Sequence, residues 1–284
     1  MNTTKIGWIG LGKMGIPMSQ SLIKAGFPVI VYNRSKEKEE SLRASGAGVA
    51  LTPAALIQQA EVVILMVTDD KAIYDIFKGD DGLLGAGTGG KIIINMSTVS
   101  PAISKEMAAA CAKQGNQYLD APVSGSVKQA QEAQLVIMAG GDESTFEKVK
   151  PILEKIGRIA MLVGDTGAGN TAKLVINTLL GIQAQGLAES FVFAQRNGIK
   201  TTDLITLINN SAMGSPFIKI KGEAIVNSNF DALFSLSNIA KDLRLAKGIG
   251  LSTPLAEVAY QTFQDAEPAL GGEDIIAVYK QISS

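Results

Sequence analysis

An apolar strand that runs without interruption into a glycine-rich turn and then into helix-forming sequence leaves this chain few folds. Lys5-Ile6-Gly7-Trp8-Ile9 passes directly into Gly10-Leu11-Gly12-Lys13-Met14-Gly15. In a strand–turn–helix unit of this kind the first glycine permits the tight turn, and the second lets a pyrophosphate approach the backbone. The third packs helix against sheet, and the helix N-terminus presents amides and the positive end of its dipole to phosphate. A lone Gly-x-Gly-x-x-Gly is weak evidence, since a glycine-rich structural turn reads the same way. Here a second strand, Phe27-Pro28-Val29-Ile30-Val31-Tyr32, follows at the spacing of a βαβ unit. Gly10, Leu11, Gly12, Lys13, Met14 and Gly15 are therefore read as a dinucleotide-binding loop.

The end of the second strand indicates which dinucleotide. A site for NAD expects a carboxylate about 20 residues beyond the glycines, on the ribose 2′-hydroxyl. This chain has Asn33-Arg34-Ser35 there. A guanidinium with two small hydrogen-bonding side chains suits a 2′-phosphate, which an aspartate would repel. NADP(H) is the expected cofactor; the plainer alternative makes Arg34 a solvated turn residue and Ser35 an N-cap.

At 284 residues the chain exceeds a typical single domain, and its net charge of −1 with dispersed signs gives no basic footprint for nucleic acid and no polybasic membrane anchor. The single cysteine, Cys111, lies in an alanine-rich helical stretch and cannot form an internal disulfide. No apolar run is long enough to span a bilayer and the first strand begins by about Lys5, so a soluble, cytoplasmic protein is expected. The absence of histidine excludes His-dependent dehydrogenases, Ser-His-Asp hydrolases and most zinc enzymes, and no metal is expected. Acid–base work falls to Lys, Tyr, Asp, Glu or Cys.

Up to about Val163, short β-branched runs alternate with helical stretches, at roughly 5–9, 28–32, 62–67, 91–95, 117–119, 135–139 and 159–162. This predicts an α/β fold, a Rossmann doubly wound sheet over residues 1–163. Thr52-Pro53, Asp69-Asp70 and Ser100-Pro101 mark helix starts. Ligands of open α/β sheets bind outside the carboxyl ends of the strands, so 10–15, 33–35, Met66 and Val67 with the residues to Asp70, and 95–98 are expected to line one crevice. Residues 164–284 read as an all-α domain, opened by a long apolar helix over about 171–196 that stops at Asn197-Gly198. Such a helix is expected to be buried between domains or subunits, and a homodimer or homotetramer is expected. Further helices are expected near 202, 237, 253 and 272.

Within Gly167-Ala168-Gly169-Asn170-Thr171-Ala172-Lys173-Leu174-Val175-Ile176-Asn177, Lys173 and Asn177 are one helical turn apart on one face of an otherwise apolar helix. A lysine against an apolar wall can give a proton to a developing alkoxide. The same spacing also fits a snorkelling lysine beside a capped asparagine. Asp120-Ala121-Pro122-Val123-Ser124-Gly125-Ser126-Val127-Lys128 reads as a loop whose amides and hydroxyls suit a carboxylate, or as a plain turn. Lys241-Asp242-Leu243 sets charges beside an apolar helix stripe.

Together these segments, with Asn95-Met96-Ser97-Thr98, resemble the β-hydroxyacid dehydrogenase family over nearly the whole length, and most closely its NADP-preferring glyoxylate and succinic semialdehyde reductase branch. The resemblance implies a catalytic role for Lys173, with Asn177 orienting substrate. It implies a carboxylate-binding loop at Ser124, Gly125 and Ser126, with Phe234 and Asp242 as supports. Thr98 would lie beside the nicotinamide, and Lys241 would close over cofactor and substrate. Ser124-Gly125-Ser126 departs from the Ser-Gly-Gly of 3-hydroxyisobutyrate dehydrogenases and favours the reductase branch. Val127 stands where that branch commonly has a lysine, which makes succinic semialdehyde a less secure substrate than glyoxylate. NADPH-dependent reduction of small carboxylate-bearing aldehydes is the implied activity. The alternatives are a 3-hydroxyisobutyrate dehydrogenase, a tartronate semialdehyde reductase or a non-enzymatic NADP-binding scaffold, whose expected mark is loss of the lysine.

Overall fold

In the computed structural model, which describes residues 3–283, the N-terminal sequence alternates strand and helix. The order is β1 (Ile6–Ile9), α1 (Gly15–Lys24), β2 (Val29–Tyr32), α2 (Glu40–Arg43), β3 (Gly48–Val49), α3 (Pro53–Gln59), β4 (Val62–Leu65), α4 (Asp70–Lys78), β5 (Ile92–Asn95) and α5 (Pro101–Ala112). Then follow β6 (Gln117–Asp120), β7 (Val123–Ser124), α6 (Val127–Gln131), β8 (Leu135–Gly140), α7 (Glu143–Leu153) and β9 (Gly157–Gly164). These strands form one nine-stranded sheet in the order β3-β2-β1-β4-β5-β6-β8-β7, with β9 also paired to β8. The pairs from β2 through β6 are parallel, while β8 meets β6 and β7 antiparallel. The chain order reverses between β1 and β4, so this is a doubly wound sheet whose ligand-binding position lies at that switch point.

Successive residues of a strand point to opposite faces, and here both faces are covered. Val62 and Ile64 join one buried cluster with Ile6 and Trp8; Val63 and Leu65 join another with Ile9 and Ile93. The helix starts follow from capping chemistry. Thr52, Asp69 and Ser100 accept the amides of Ala55, Ala72 and Ile103, each three residues on, and Pro53 and Pro101 occupy first-turn positions where no N–H is needed.

α8 (Ala168–Arg196) follows β9. The chain divides after Lys173 into two compact units, ten residues later than the 163/164 boundary expected at the end of the sheet. The opening of α8 stays with the sheet because buried Asp120, at the end of β6, accepts the Gly167 and Asn170 amides at 2.6 and 2.7 Å. Asn170 in turn accepts the Val99 amide at 3.0 Å and donates to Ser104 at 3.2 Å.

The second unit is helical: α9 (Thr201–Asn209), α10 (Pro216–Val226), α11 (Leu236–Gly248), α12 (Pro254–Leu270) and α13 (Val278–Ser283) follow α8. Phe191, Leu236, Ile239, Leu243 and Phe263 form its core. Gly198 takes a φ of +77° just beyond the end of α8, the left-handed position that stops a helix. The helix expected near 272 is instead a 3₁₀ turn at Ile275–Ala277 leading into α13, because the Asp274 carboxylate caps the Ile276 amide and starts the tighter turn. α10 was not expected, although Ser215-Pro216 opens it with the same cap-and-proline pair as Ser100-Pro101.

Candidate active site

In the first unit, the three glycines of 10–15 meet three different constraints. Gly10 has φ +99°, and a Cβ there would lie 2.2 Å from the Met66 carbonyl oxygen. A Cβ on Gly15 would lie 2.0 Å from the Gly10 carbonyl oxygen, so α1 can pack this closely only without a side chain. Nothing lies within 4 Å of a Cβ built on Gly12. That open space beside the first turn of α1, where a helix leaves amides without intrahelical acceptors, fits a pyrophosphate. Trp8, a residue that sequence patterning marks only as apolar, steadies the turn: its indole N–H donates to the Gly10 carbonyl at 3.0 Å.

The crevice segments are brought together at the carboxyl ends of β1, β2, β4 and β5. Leu11 N–H donates to Asn33 Oδ1 at 2.8 Å, and Val67 N–H to Ser97 Oγ at 2.9 Å. Met66 backs Gly10, and half-buried Thr98 follows Ser97. Asn33 differs from the sequence reading, which has its side chain available to phosphate. Its Oδ1 holds the glycine loop and its Nδ2 donates to the Ser35 carbonyl at 2.8 Å, so it braces the turn. Exposed Arg34 and half-buried Ser35 carry the remaining side-chain donors of that triplet. A carboxylate also reaches this strand end that no sequence spacing announces: Glu39, buried, accepts the Asn33 amide at 2.9 Å.

The 120–128 loop leaves the sheet beside β8. Ser124 pairs with Val136, and Gly125 turns at φ +137°, where a Cβ would sit 2.7 Å from Leu135. Ser126 opens α6, and both its amide and its hydroxyl donate to Gln129 Oε1. Its amide and hydroxyl are thus both committed to Gln129, and Ser124 is the loop serine without that engagement.

Lys173, the last residue of the first unit, is 9% exposed, although Val175 two residues on is 65% exposed. In the second unit Asn177 is 2% exposed while Leu179 is 56% exposed. At these four positions the helix buries the polar side chains and exposes the apolar ones, the reverse of an ordinary surface stripe, although Leu174 beside Lys173 is buried as well. Asn177 Nδ2 donates to Asp242 Oδ2 at 2.6 Å. Asp242 Oδ1 has no hydrogen bond of good geometry but lies 3.1 Å from Lys241 Nζ, so one buried carboxylate holds both neighbours. Phe234, half-buried, precedes α11, and its amide donates to Asp274 Oδ2 at 3.3 Å.

Burial pushes the Cys111 thiol up to about 12, which removes it as a nucleophile. Among the described residues no group of three or more His, Cys, Asp or Glu is placed to hold a metal ion, and no helix is long and apolar enough to cross a membrane.

Residues 5–164 match the family model of the NAD binding domain of 6-phosphogluconate dehydrogenase. Residues 167–282 match that of the NAD-binding domain of NADP-dependent 3-hydroxyisobutyrate dehydrogenase. Glyoxylate/succinic semialdehyde reductase 1 of Arabidopsis thaliana is 34% identical over 283 residues, which cover 98% of this chain and 98% of the relative. The 2-(hydroxymethyl)glutarate dehydrogenase of Eubacterium barkeri is 35% identical over 282 residues, 97% of this chain and 94% of the relative. The solved structure of Mycobacterium tuberculosis 3-hydroxyisobutyrate dehydrogenase with L-serine superposes with a TM-score of 0.91 at 29% identity, covering 100% of both chains. The chain belongs to the β-hydroxyacid dehydrogenase family of NAD(P)-dependent oxidoreductases, which includes 3-hydroxyisobutyrate dehydrogenase.

Proposed function

We propose that this enzyme reduces a small aldehyde bearing a carboxylate to the corresponding hydroxyacid, with NADPH as reductant and Lys173 as proton donor. The observation that carries this reading is the inverted exposure at the start of α8, where Lys173 and Asn177 are buried while Val175 and Leu179 face outward. A buried lysine one helical turn from a buried asparagine, whose amide Asp242 holds in one orientation, matches a proton donor beside an orienting group.

NADPH, when bound, supplies the hydride that goes to the aldehyde carbon. The Gly10–Gly15 loop would hold its pyrophosphate, with Arg34 and Ser35 toward the 2′-phosphate and Met66, Val67 and Thr98 along the crevice. The Lys173 ammonium polarises the carbonyl and gives its proton to the oxygen as negative charge develops there, leaving an alcohol and a neutral amine that solvent reprotonates. Asn177, its amide orientation fixed by Asp242, presents the substrate oxygen to that proton. Ser124 and the Gly125 backbone receive the carboxylate, with Phe234 and Lys241 as walls of the substrate pocket.

Glyoxylate and succinic semialdehyde are the first substrates to examine, given the similarity to the Arabidopsis reductase and the Ser124-Gly125-Ser126 loop; 3-hydroxyisobutyrate and tartronate semialdehyde chemistry is the second reading. A panel of glyoxylate, succinic semialdehyde, tartronate semialdehyde and methylmalonate semialdehyde, followed by NADPH consumption, separates them. No turnover on any of the four, with NADPH still bound, would instead favour a cofactor-binding scaffold. The outward-facing Val175, Leu179 and Phe193 of α8 support assembly as a homodimer or homotetramer.

The preference for NADPH has its own test. Arg34→Asp removes a charge-assisted phosphate contact and is expected to raise the KM for NADPH roughly tenfold or more. The KM for NADH should change much less. Equal changes for the two cofactors would reduce Arg34 to a bystander.

A further inference from the structure

The end of β2 carries a closed set of contacts that the proposed reaction does not use. Glu39 sits one turn beyond Asn33-Arg34-Ser35, and its carboxylate is buried although four of the five residues from Arg34 to Lys38 are exposed. Its Oε1 accepts the Asn33 amide at 2.9 Å and lies 3.1 Å from Lys36 Nζ. The Lys36 ammonium is also 4.4 Å from the centroid of the Tyr32 ring at the end of β2. Asn33 meanwhile ties Leu11 of the glycine loop to the Ser35 carbonyl. Glycine loop, Asn33, Glu39 and Lys36 thus form one connected chain, which folds segment 34–38 back against the strand end.

Two physical consequences follow. The Glu39 carboxylate is committed to main chain and an ammonium, so it is not a free anion facing the 2′-phosphate side of the strand end. The backbone carrying Arg34 and Ser35 is held by that same carboxylate, because Asn33 N–H immediately precedes them and has Glu39 as its acceptor.

We propose that Glu39 is a positioning residue that sets the enzyme's selectivity for the 2′-phosphate of its cofactor, acting through Asn33 and Lys36. The proposal rests on the dinucleotide reading of the Gly10–Gly15 loop. Asp at this position keeps the charge but is one methylene shorter, which loosens its hold on the Asn33 amide and on the turn that carries Arg34 and Ser35. Gln keeps the reach and an acceptor oxygen for the Asn33 amide.

The test is calorimetric titration of the folded full-length protein with 2′-phospho-ADP-ribose and with ADP-ribose, fragments that bind without turnover. Wild-type protein should prefer the phosphorylated fragment. Glu39→Asp should lower that preference roughly tenfold, the worth of one buried hydrogen bond, whereas Glu39→Gln should keep it. A merely structural residue would weaken both fragments together and leave their ratio alone. A wild-type ratio in Glu39→Asp, or in Glu39→Ala should the aspartate variant fail to fold, would overturn the role of Glu39. Wild-type protein that binds neither fragment would overturn the underlying dinucleotide reading instead.

Discussion

Lys173→Ala is expected to lower kcat by roughly 10²–10⁴-fold, the usual worth of a positioned general acid, while NADPH affinity stays nearly unchanged. The two parts of this expectation have separate sources. In the proposed reading the acid is lost with the amine, whereas cofactor binding is assigned to the glycine loop and the Asn33–Ser35 turn, whose contacts lie at the ends of β1 and β2. The substrate KM should change less than kcat, because the proton is needed most where charge develops on oxygen. Lys173→Arg separates positive charge from proton donation. It keeps a positive charge, but a guanidinium does not release its proton near neutral pH, so it should be nearly as slow as alanine. An arginine variant close to wild type would mean that Lys173 supplies only charge.

The second large effect concerns the support beneath that lysine. Asp120→Ala removes the acceptor of two buried amides, Gly167 and Asn170, at the start of α8. Each orphaned buried N–H costs about 1–3 kcal/mol, so urea unfolding should show a loss of about 3 kcal/mol or more. The same carboxylate gives stability a pH dependence of definite sign. Burial raises the pKa of Asp120 above the ordinary aspartate value, against the lowering effect of the Gly167 and Asn170 amides. The folded protein therefore holds this proton to higher pH than the unfolded chain does. Its contribution to stability is greatest below the unfolded pKa and declines as pH rises through the folded one. Asp120→Asn, which does not titrate, should lose that declining segment from a plot of unfolding free energy against pH. An unchanged slope would assign the decline to other groups.

Where the sequence could be read and where it could not follows from the range of the interactions. Strand periodicity and cap residues are local, so β1, β2, β4, β5 and the starts at Thr52, Asp69 and Ser100 were legible. So was the stop at Gly198, which needs only a left-handed residue. The two-residue strands β3 and β7 are too short to carry a pattern, and exist because neighbouring strands offer them partners. Side-chain engagements are harder still. Asn33 and Ser126 look like ligand donors in sequence, yet the fold gives Asn33 to Leu11 and Ser35, and Ser126 to Gln129. The Ser126–Gln129 pair has capping-box spacing and was in principle readable. Glu39 gave no local sign, since its meaning depends on the strand end to which the chain returns. Burial of Lys173 and Asn177 was anticipated only as a face of a helix; that Val175 and Leu179 would be the exposed ones is a property of the folded chain.

Chemical rescue of Lys173→Ala tests the central claim most directly. Methylammonium, a small proton donor, is added to the variant with NADPH and glyoxylate or whichever semialdehyde the panel selects, and turnover is compared with that in an equal concentration of tetramethylammonium, which carries the same charge and no proton. A rate that climbs with methylammonium and stays flat with tetramethylammonium is the predicted result. Equal response to both ions, or a variant as fast as wild type without either, would contradict Lys173 as the proton source.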